Sequence, residues 1–152
     1  MPDKKYDEIG GEYKYGFKTE VENIVDWNEK HVLAKAQFDC NILTRKAVCD
    51  TSAGFVERET HRNTTWQQAR FEVCHHKWVD MAETDGGIAL INDSKYGVGL
   101  LENSMSLSLL RATIRPDVTS DIGHHEFSYM IYPHGDDFVK AEINNIAYEY
   151  NI

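Results

Sequence analysis

Apolar and polar positions alternate through most of the chain. The clearest stretch is 30–42, where Val32, Ala34, Ala36, Phe38, Cys40 and Ile42 share one face and Lys35, Gln37, Asp39 and Asn41 the other. This spacing predicts a long strand with one packed side and one wet side, as in antiparallel sheet. An earlier strand is predicted at 17–25, with Phe17, Thr19 and Val21 on one face, closed by a turn at 26–29. Shorter strands are predicted at 45–50 and 55–60, separated at Ser52, Ala53 and Gly54, and again at 71–74 and 77–82. In the last of these, Trp78 and Asp80 face one way, Val79 and Met81 the other. The stretch 60–70 is irregular and reads as a loop anchored by Trp66, with Asn63 and the threonines bonding to backbone.

The stretch 86–115 reads as three short strands joined by tight turns. Gly86 and Gly87 open it, and Ile88, Ala89, Leu90 and Ile91 form an apolar run of strand length. Asn92, Asp93, Ser94 and Gly97 supply turn chemistry. A strand at 98–101 and a turn at 102–104 follow. Met105, Leu107 and Leu109 then alternate with Ser106, Ser108 and Leu110 before Arg111. A polar loop leads to a strand at 125–132 that ends at Pro133 and His134. Beyond Gly135 the period becomes helical: Phe138, Glu142 and Ile146 line up, as do Val139, Ile143 and Tyr150, with Asp136 or Asp137 as N-cap. Residues 148–152 read as strand-like again. Short strands at intervals of roughly 8–12 residues predict an all-β protein, an antiparallel β-sandwich with a short helix near the C-terminus. Residues 1–16 read as a loosely ordered lead-in and 17–152 as one sandwich domain excised from a larger chain.

Charge and composition narrow the partners. A net charge of −9, with no Lys/Arg cluster, argues against nucleic acid. No apolar run reaches the length of a membrane span, and the N-terminus has no signal-peptide apolar core. Cys40, Cys49 and Cys74 are an odd set without CxxC spacing, and read as buried free thiols of a reducing compartment. Apolar faces left by excision would favour self-association, so a homo-oligomer is one expectation.

Candidate chemistry is sparse. His75 and His76, and His124 and His125, are adjacent pairs, and neighbours on a strand point to opposite faces, so neither pair chelates one ion readily. Carboxylate pairs are the signature of glycoside hydrolysis. The chain offers Asp80, Asp93, Asp117, Asp121 and Glu126. Asp93, Asp117 and Asp121 all sit in turn or loop contexts, which favours structural roles. No GxSxG, phosphate loop or dinucleotide fingerprint occurs. Arg111, closing an otherwise apolar and small-polar strand, is either an ion-pair partner of Asp93, Asp117 or Asp121 or a ligand contact. Trp66, Trp78 and Tyr96 are candidates for stacking on sugar rings, or buried aromatics.

Several blocks together resemble a known family. INDSKYG, LSLLRA and PD..SD.G.HEF.Y.IYPH, with HRNTTWQQARFEVC.HKWVDMAE and VDWNEKHVLAKAQFDCNI upstream, are similar to the C-terminal β region of class II α-mannosidases, glycoside hydrolase family 38, and within it to the cytosolic/vacuolar branch. The resemblance implies part of a galactose mutarotase-like supersandwich, packed behind a catalytic domain in a retaining enzyme that releases α-linked mannose from oligosaccharides. It implies that catalytic zinc and the nucleophilic aspartate belong to that missing domain, so that this chain alone is inactive and holds no cofactor. It also implies that Arg111 reaches toward the sugar, and that His61, Asn63 and Trp66, in a loop facing the catalytic domain, are further substrate-binding candidates lining the sugar pocket. The expected partners are that domain and a mannose-containing oligosaccharide, and the expected location is cytoplasmic or vacuolar. The rival reading is a stand-alone carbohydrate-binding or interaction module without catalysis.

Overall fold

The structure, a computed structural model, describes residues 18–152. The predicted lead-in at 1–16 lies outside the described residues, as does Phe17. The described chain runs β1 (Thr19–Trp27), β2 (Leu33–Asp39), β3 (Lys46–Thr51), β4 (Gly54–Glu59), α1 (Thr65–Ala69), β5 (Val73–Cys74), β6 (Trp78–Ala82), β7 (Gly87–Asn92), β8 (Gly97–Leu101), β9 (Ser104–Arg111), β10 (Gly123–His134) and α2 (Ile143–Tyr150). The strands form a six-stranded sheet in the order β1-β10-β7-β6-β3-β4 and a four-stranded sheet in the order β2-β9-β8-β5. Every pairing is antiparallel. No helix among the described residues is long and apolar enough to cross a membrane.

Period-two alternation decides where the core lies. Ala47, Cys49, Val79, Met81 and Leu90 point from the larger sheet into the sandwich, where they meet Val98, Leu100, Met105 and Leu107 of the smaller one. On the opposite face of the same sheet, Trp78, Ala89, Ile91 and Met130 pack under Ile143 and Ala147 of α2. The central strands β6 and β7 are thus buried on both faces, which explains the unbroken apolar run at 88–91. β2 keeps one wet face, with Lys35, Gln37 and Asp39 exposed.

Several elements differ from the predicted ones. β1 continues through Trp27, because it pairs with β10 along all nine residues as far as Gly123; the predicted turn begins only at Asn28. The loop at 60–70 contains α1, held by a capping box in which Thr64 and Gln67 each satisfy the other's backbone N–H. Trp66 is 78% exposed and, among the described residues, is not the buried anchor expected of it. The predicted strand at 71–74 shortens to Val73–Cys74, and Cys74 is an exposed thiol, unlike Cys40 and Cys49. In β9 a bulge makes Ala34 oppose Leu110 and Lys35 oppose Ser108, so Leu109 is the extra residue and Leu110 turns inward. The chain end 148–152 is not strand-like. α2 runs through Tyr150, because Ile143 and Ala147, one turn apart, bury the same face and Asn151 donates to the Ala147 carbonyl at 2.8 Å. Asp137 does cap, accepting from the N–H groups of Val139 and Lys140, but it caps the turn that precedes Glu142 rather than α2 itself.

A buried ion pair joins β6 to the end of β10. His134 Nε2 sits 2.7 Å from Asp80 Oδ1, with both side chains almost fully buried. Burial pulls His134 down, but the Asp80 carboxylate outweighs it and holds the imidazole above its ordinary range. The ring lies over Gly87, where a Cβ would stand 2.7 Å from both the Ala82 Cβ and the His134 ring. Because the ring is fixed by Asp80, it cannot move aside cheaply. Gly87→Ala is therefore expected to destabilise the fold by about 1–3 kcal/mol, read as a lower midpoint in urea unfolding. A midpoint equal to that of the unsubstituted chain would show that the ring gives way.

Candidate functional site

One end of the sandwich gathers the Asn92–Gly97 turn, the end of β9 at Arg111 and the start of β10. Asn92 closes β7 and is fully buried. Its Oδ1 accepts the Lys95 N–H at 2.6 Å, which shapes the turn. Its Nδ2 donates to the His76 carbonyl and to His75 Nε2, both at 2.9 Å. That donation makes His75 Nε2 an acceptor, so the proton of the neutral ring sits on Nδ1. Asp93 Oδ2 accepts from the Ser128 N–H at 2.6 Å and from its hydroxyl at 2.9 Å, and Tyr150 donates to the same hydroxyl at 2.7 Å. Lys95 lies over the Phe127 ring at 4.2 Å, and burial lowers its pKa against the pull of Asp93 and Asp121. Beside the turn opens a cavity of about 360 Å³ bordered by His76, Asp93 and Tyr96.

Arg111 is exposed at the rim of this end. Its backbone N–H donates to Asp121 Oδ2 at 2.9 Å. None of the carboxylates considered as its partners reaches the guanidinium. Asp93 is committed to Ser128, Asp121 to the Arg111 backbone, and Asp117 Oδ1 to the N–H and hydroxyl of Thr119 at 2.8 Å. Glu72 is one acidic group that feels Arg111. Burial raises Glu72, but Lys35 at 2.6 Å and the Ser108 hydroxyl, with a smaller pull from Arg111, bring it below its ordinary value. Arg111 thus ends as a solvent-facing cation without an ion-pair partner among the described residues.

The other sequence candidates lie elsewhere. His61, Asn63 and Trp66 belong to the segment between β4 and β5. His61 borders a second cavity, together with Leu100 and Val73. Leu100 opposes Met105, and Val73 opposes Val98, whose own partner is Leu107. Arg111 is four to six residues farther along β9, roughly 10–20 Å in the strand direction. The chain by itself does not bring His61, Asn63 or Trp66 to Arg111. Trp78 is a core residue at 2% exposure, whereas Tyr96 is 54% exposed and edge-on to His76. His124 bonds Asp26 and Glu126, and His125 bonds the Asp121 carbonyl. Among the described residues, no group of three or more His, Cys, Asp or Glu could hold a metal ion. Of the residues that organise this end, Glu72 is not singled out by the sequence pattern, His75 is weighed there only as one of a histidine pair, and Asn92 only as a turn residue. Asn92 stood beside Asp93 in an evident turn, but its burial is a tertiary fact.

Burial lowers His75 to about 4, a bonded Tyr96 carbonyl pulling the other way. A depressed imidazole leaves the fold unpenalised above its ordinary value of 6.5, and stability is lost as pH falls from there toward about 4, while the unfolded chain protonates first. The unsubstituted chain should therefore lose about 3 kcal/mol more over that range than His75→Gln does, as measured by urea unfolding at stepped pH. Parallel pH curves for the two would remove His75 from the balance.

Comparison with known proteins places these features in a family. Residues 13–119 match the family of glycosyl hydrolases family 38 C-terminal domains. Alpha-mannosidase 2C1 of Mus musculus is 43% identical over 89% of the chain, and alpha-mannosidase G of Dictyostelium discoideum is 45% identical over 88%. The chain spans 13% and 12%, respectively, of the length of these relatives. An alpha-mannosidase crystal structure from Enterococcus faecalis V583 superposes with a TM-score of 0.80 at 16% identity, over 89% of this chain and 16% of that one, a likeness of fold. By the extent and identity of these matches, the chain belongs to the glycosyl hydrolase family 38 C-terminal domains.

Proposed function

We propose that this chain is the non-catalytic β-sandwich portion of a retaining, zinc-dependent α-mannosidase that removes terminal α-linked mannose from oligosaccharides. The mannosidase relatives, each about eight times longer than the matched region, support a parent of that kind. The described residues offer no metal-binding cluster, so zinc would be held by the catalytic domain of the parent and no step is assigned to it here. Buried free thiols at Cys40 and Cys49 suit a reducing location, the cytoplasm, with the vacuole as the alternative.

Within such an enzyme the sandwich would pack against the catalytic domain and complete its sugar pocket. The observation that carries this reading is Arg111, an exposed guanidinium whose neighbouring carboxylates are all committed to backbone or to other side chains. A planar fork held at the end of a strand is suited to bonding two adjacent sugar hydroxyls, which an ammonium does less well. His61, Asn63 and Trp66 enter this proposal only as residues that the catalytic domain would have to meet at a different part of the interface.

Arg111→Lys in the full-length enzyme is the direct test. Loss of the fork should lower kcat/KM for mannosides by about 10–100-fold, while the purified 152-residue chain should release no mannose. An unchanged kcat/KM would remove Arg111 from the pocket, and hydrolysis by the isolated chain would overturn the non-catalytic role.

A further inference from the structure

The sandwich is open along the edge where β4 and β5 end the two sheets. β5 pairs with β8 through only two residues, so the smaller sheet stops short there. The gap is bridged by residues 60–72, including α1. A cavity of about 310 Å³ lies behind this bridge, between the β4 edge and Leu100 and Val73.

Its lining is cationic, against the acidity of the chain as a whole. Lys46, Arg58, Arg62 and Arg70 face two carboxylates, Glu57 and Glu59. Glu57 is taken by Lys46, and Glu59 accepts the Gln67 amide at 2.8 Å. Among the described residues no carboxylate forms an ion pair with any of the three arginines. Arg62 reaches the Phe71 carbonyl through one terminal nitrogen, at 3.0 Å.

Three N–H groups here are buried and have no acceptor among the described residues: Arg58 Nε, Arg62 Nε and His61 Nδ1. The histidine proton is placed by its neighbours. Gln67 Oε1 accepts from the N–H groups of Asn63 and Thr64, so its nitrogen faces His61 Nε2 at 3.1 Å. His61 Nε2 accepts, and Nδ1 carries the proton. Buried donors are normally satisfied, and leaving one unpaired costs about 1–3 kcal/mol. Donors on residues around one cavity, with four cations against two carboxylates that are both already bonded elsewhere, suit an anionic acceptor with several oxygens.

We propose that this cavity is an oxyanion site, taking a phosphate or carboxylate group through Arg58, Arg62 and His61, with Arg70 at its mouth. The guanidinium fork matches either group, and the cavity is of small-ligand size. The oxyanion arrives either on a free small molecule or on an acidic side chain from another part of the longer enzyme. The inference does not depend on the mannosidase reading, because it needs only this chain.

The test is a titration of the 152-residue chain with inorganic phosphate at constant ionic strength, followed by NMR of the arginine Nε–H and histidine ring signals. Saturable shifts of the Arg58, Arg62 and His61 signals are expected, absent with chloride. Arg62→Gln should weaken binding about tenfold or more, and Arg62→Lys by less. Should Arg58→Gln or Arg62→Gln fail to fold, as judged by thermal unfolding, the exposed Arg70→Gln serves, with weaker phosphate binding expected. Linear shifts, equal shifts with chloride, or affinity untouched by these substitutions would overturn the site. Repeating the titration on the full-length enzyme separates the two sources. Retained binding identifies a free ligand, whereas binding lost only in the longer protein identifies a carboxylate of its own.

Discussion

The buried side chain of Asn92 holds the polar end of this sandwich together. Strands β6 and β7 are covered on both faces, so where they leave the core their backbone groups need partners inside the protein. Asn92 supplies them. Its amide satisfies the His76 carbonyl and His75, its side-chain oxygen takes the Lys95 N–H, and its own carbonyl accepts from Asn151 just beyond α2 at 3.2 Å. One uncharged residue thereby fixes the turn that aims β8, the crossing from β5 to β6 and the seat of the C-terminal helix. No ionised group is needed at the centre, which avoids the cost of desolvating one. With the turn fixed, Asp93 is placed to bind Ser128, and through it Tyr150.

Much of this was legible in the sequence wherever burial follows a simple period. The two faces of β6 divide as the alternation of Trp78, Val79, Asp80 and Met81 predicts, and the wet face of β2 carries the polar residues expected of it. The failures have distinct causes. α1 has the Thr-x-x-Gln signature of a capping box, but no buried residues, so nothing in its apolar pattern announced a helix. Leu109 and Leu110 are equally apolar, and only the bulge opposite Ala34 and Lys35 decides which is buried. At the C-terminus, Tyr148 and Tyr150 mimic a strand, whereas the turn-spaced burial of Ile143 and Ala147 makes the segment helical.

The candidate site was legible in kind more than in arrangement. Turn chemistry marked Asp93, Asp117 and Asp121 as structural carboxylates, but only Asp117 bonds backbone within its own turn, at Thr119; Asp93 and Asp121 bond the backbone of Ser128 and Arg111, farther along the chain. What the order of residues could not convey is which of them bracket Arg111 and which leave it alone. The resemblance grouped Arg111 with His61, Asn63 and Trp66 as substrate contacts. Within this chain the strand register of β5, β8 and β9 sets them toward opposite ends of the smaller sheet. Glu72 escaped notice, and Asn92 was read only as a turn residue, for a related reason: each acts through partners far away in the chain.

The two polar regions differ in how their hydrogen bonds close, and the difference follows from strand length. At the Asn92 end, β7, β8 and β10 all run far enough for turns to meet strands, so carbonyls and amides from several segments lie within reach of each side chain. At the edge beside β4, the smaller sheet is reduced to the two residues of β5, and side chains rather than backbone fill the space. Arginines suit such a gap because their stems cover apolar neighbours such as Val73 and Leu100 while the guanidinium groups remain available. Cations brought together this way repel one another in a region of reduced dielectric, and each unmet N–H adds to that cost. The Asn92 end is centred on a neutral amide and leaves one buried ring donor, His75 Nδ1, without an acceptor among the described residues, whereas the edge beside β4 gathers cations and leaves three, Arg58 Nε, Arg62 Nε and His61 Nδ1.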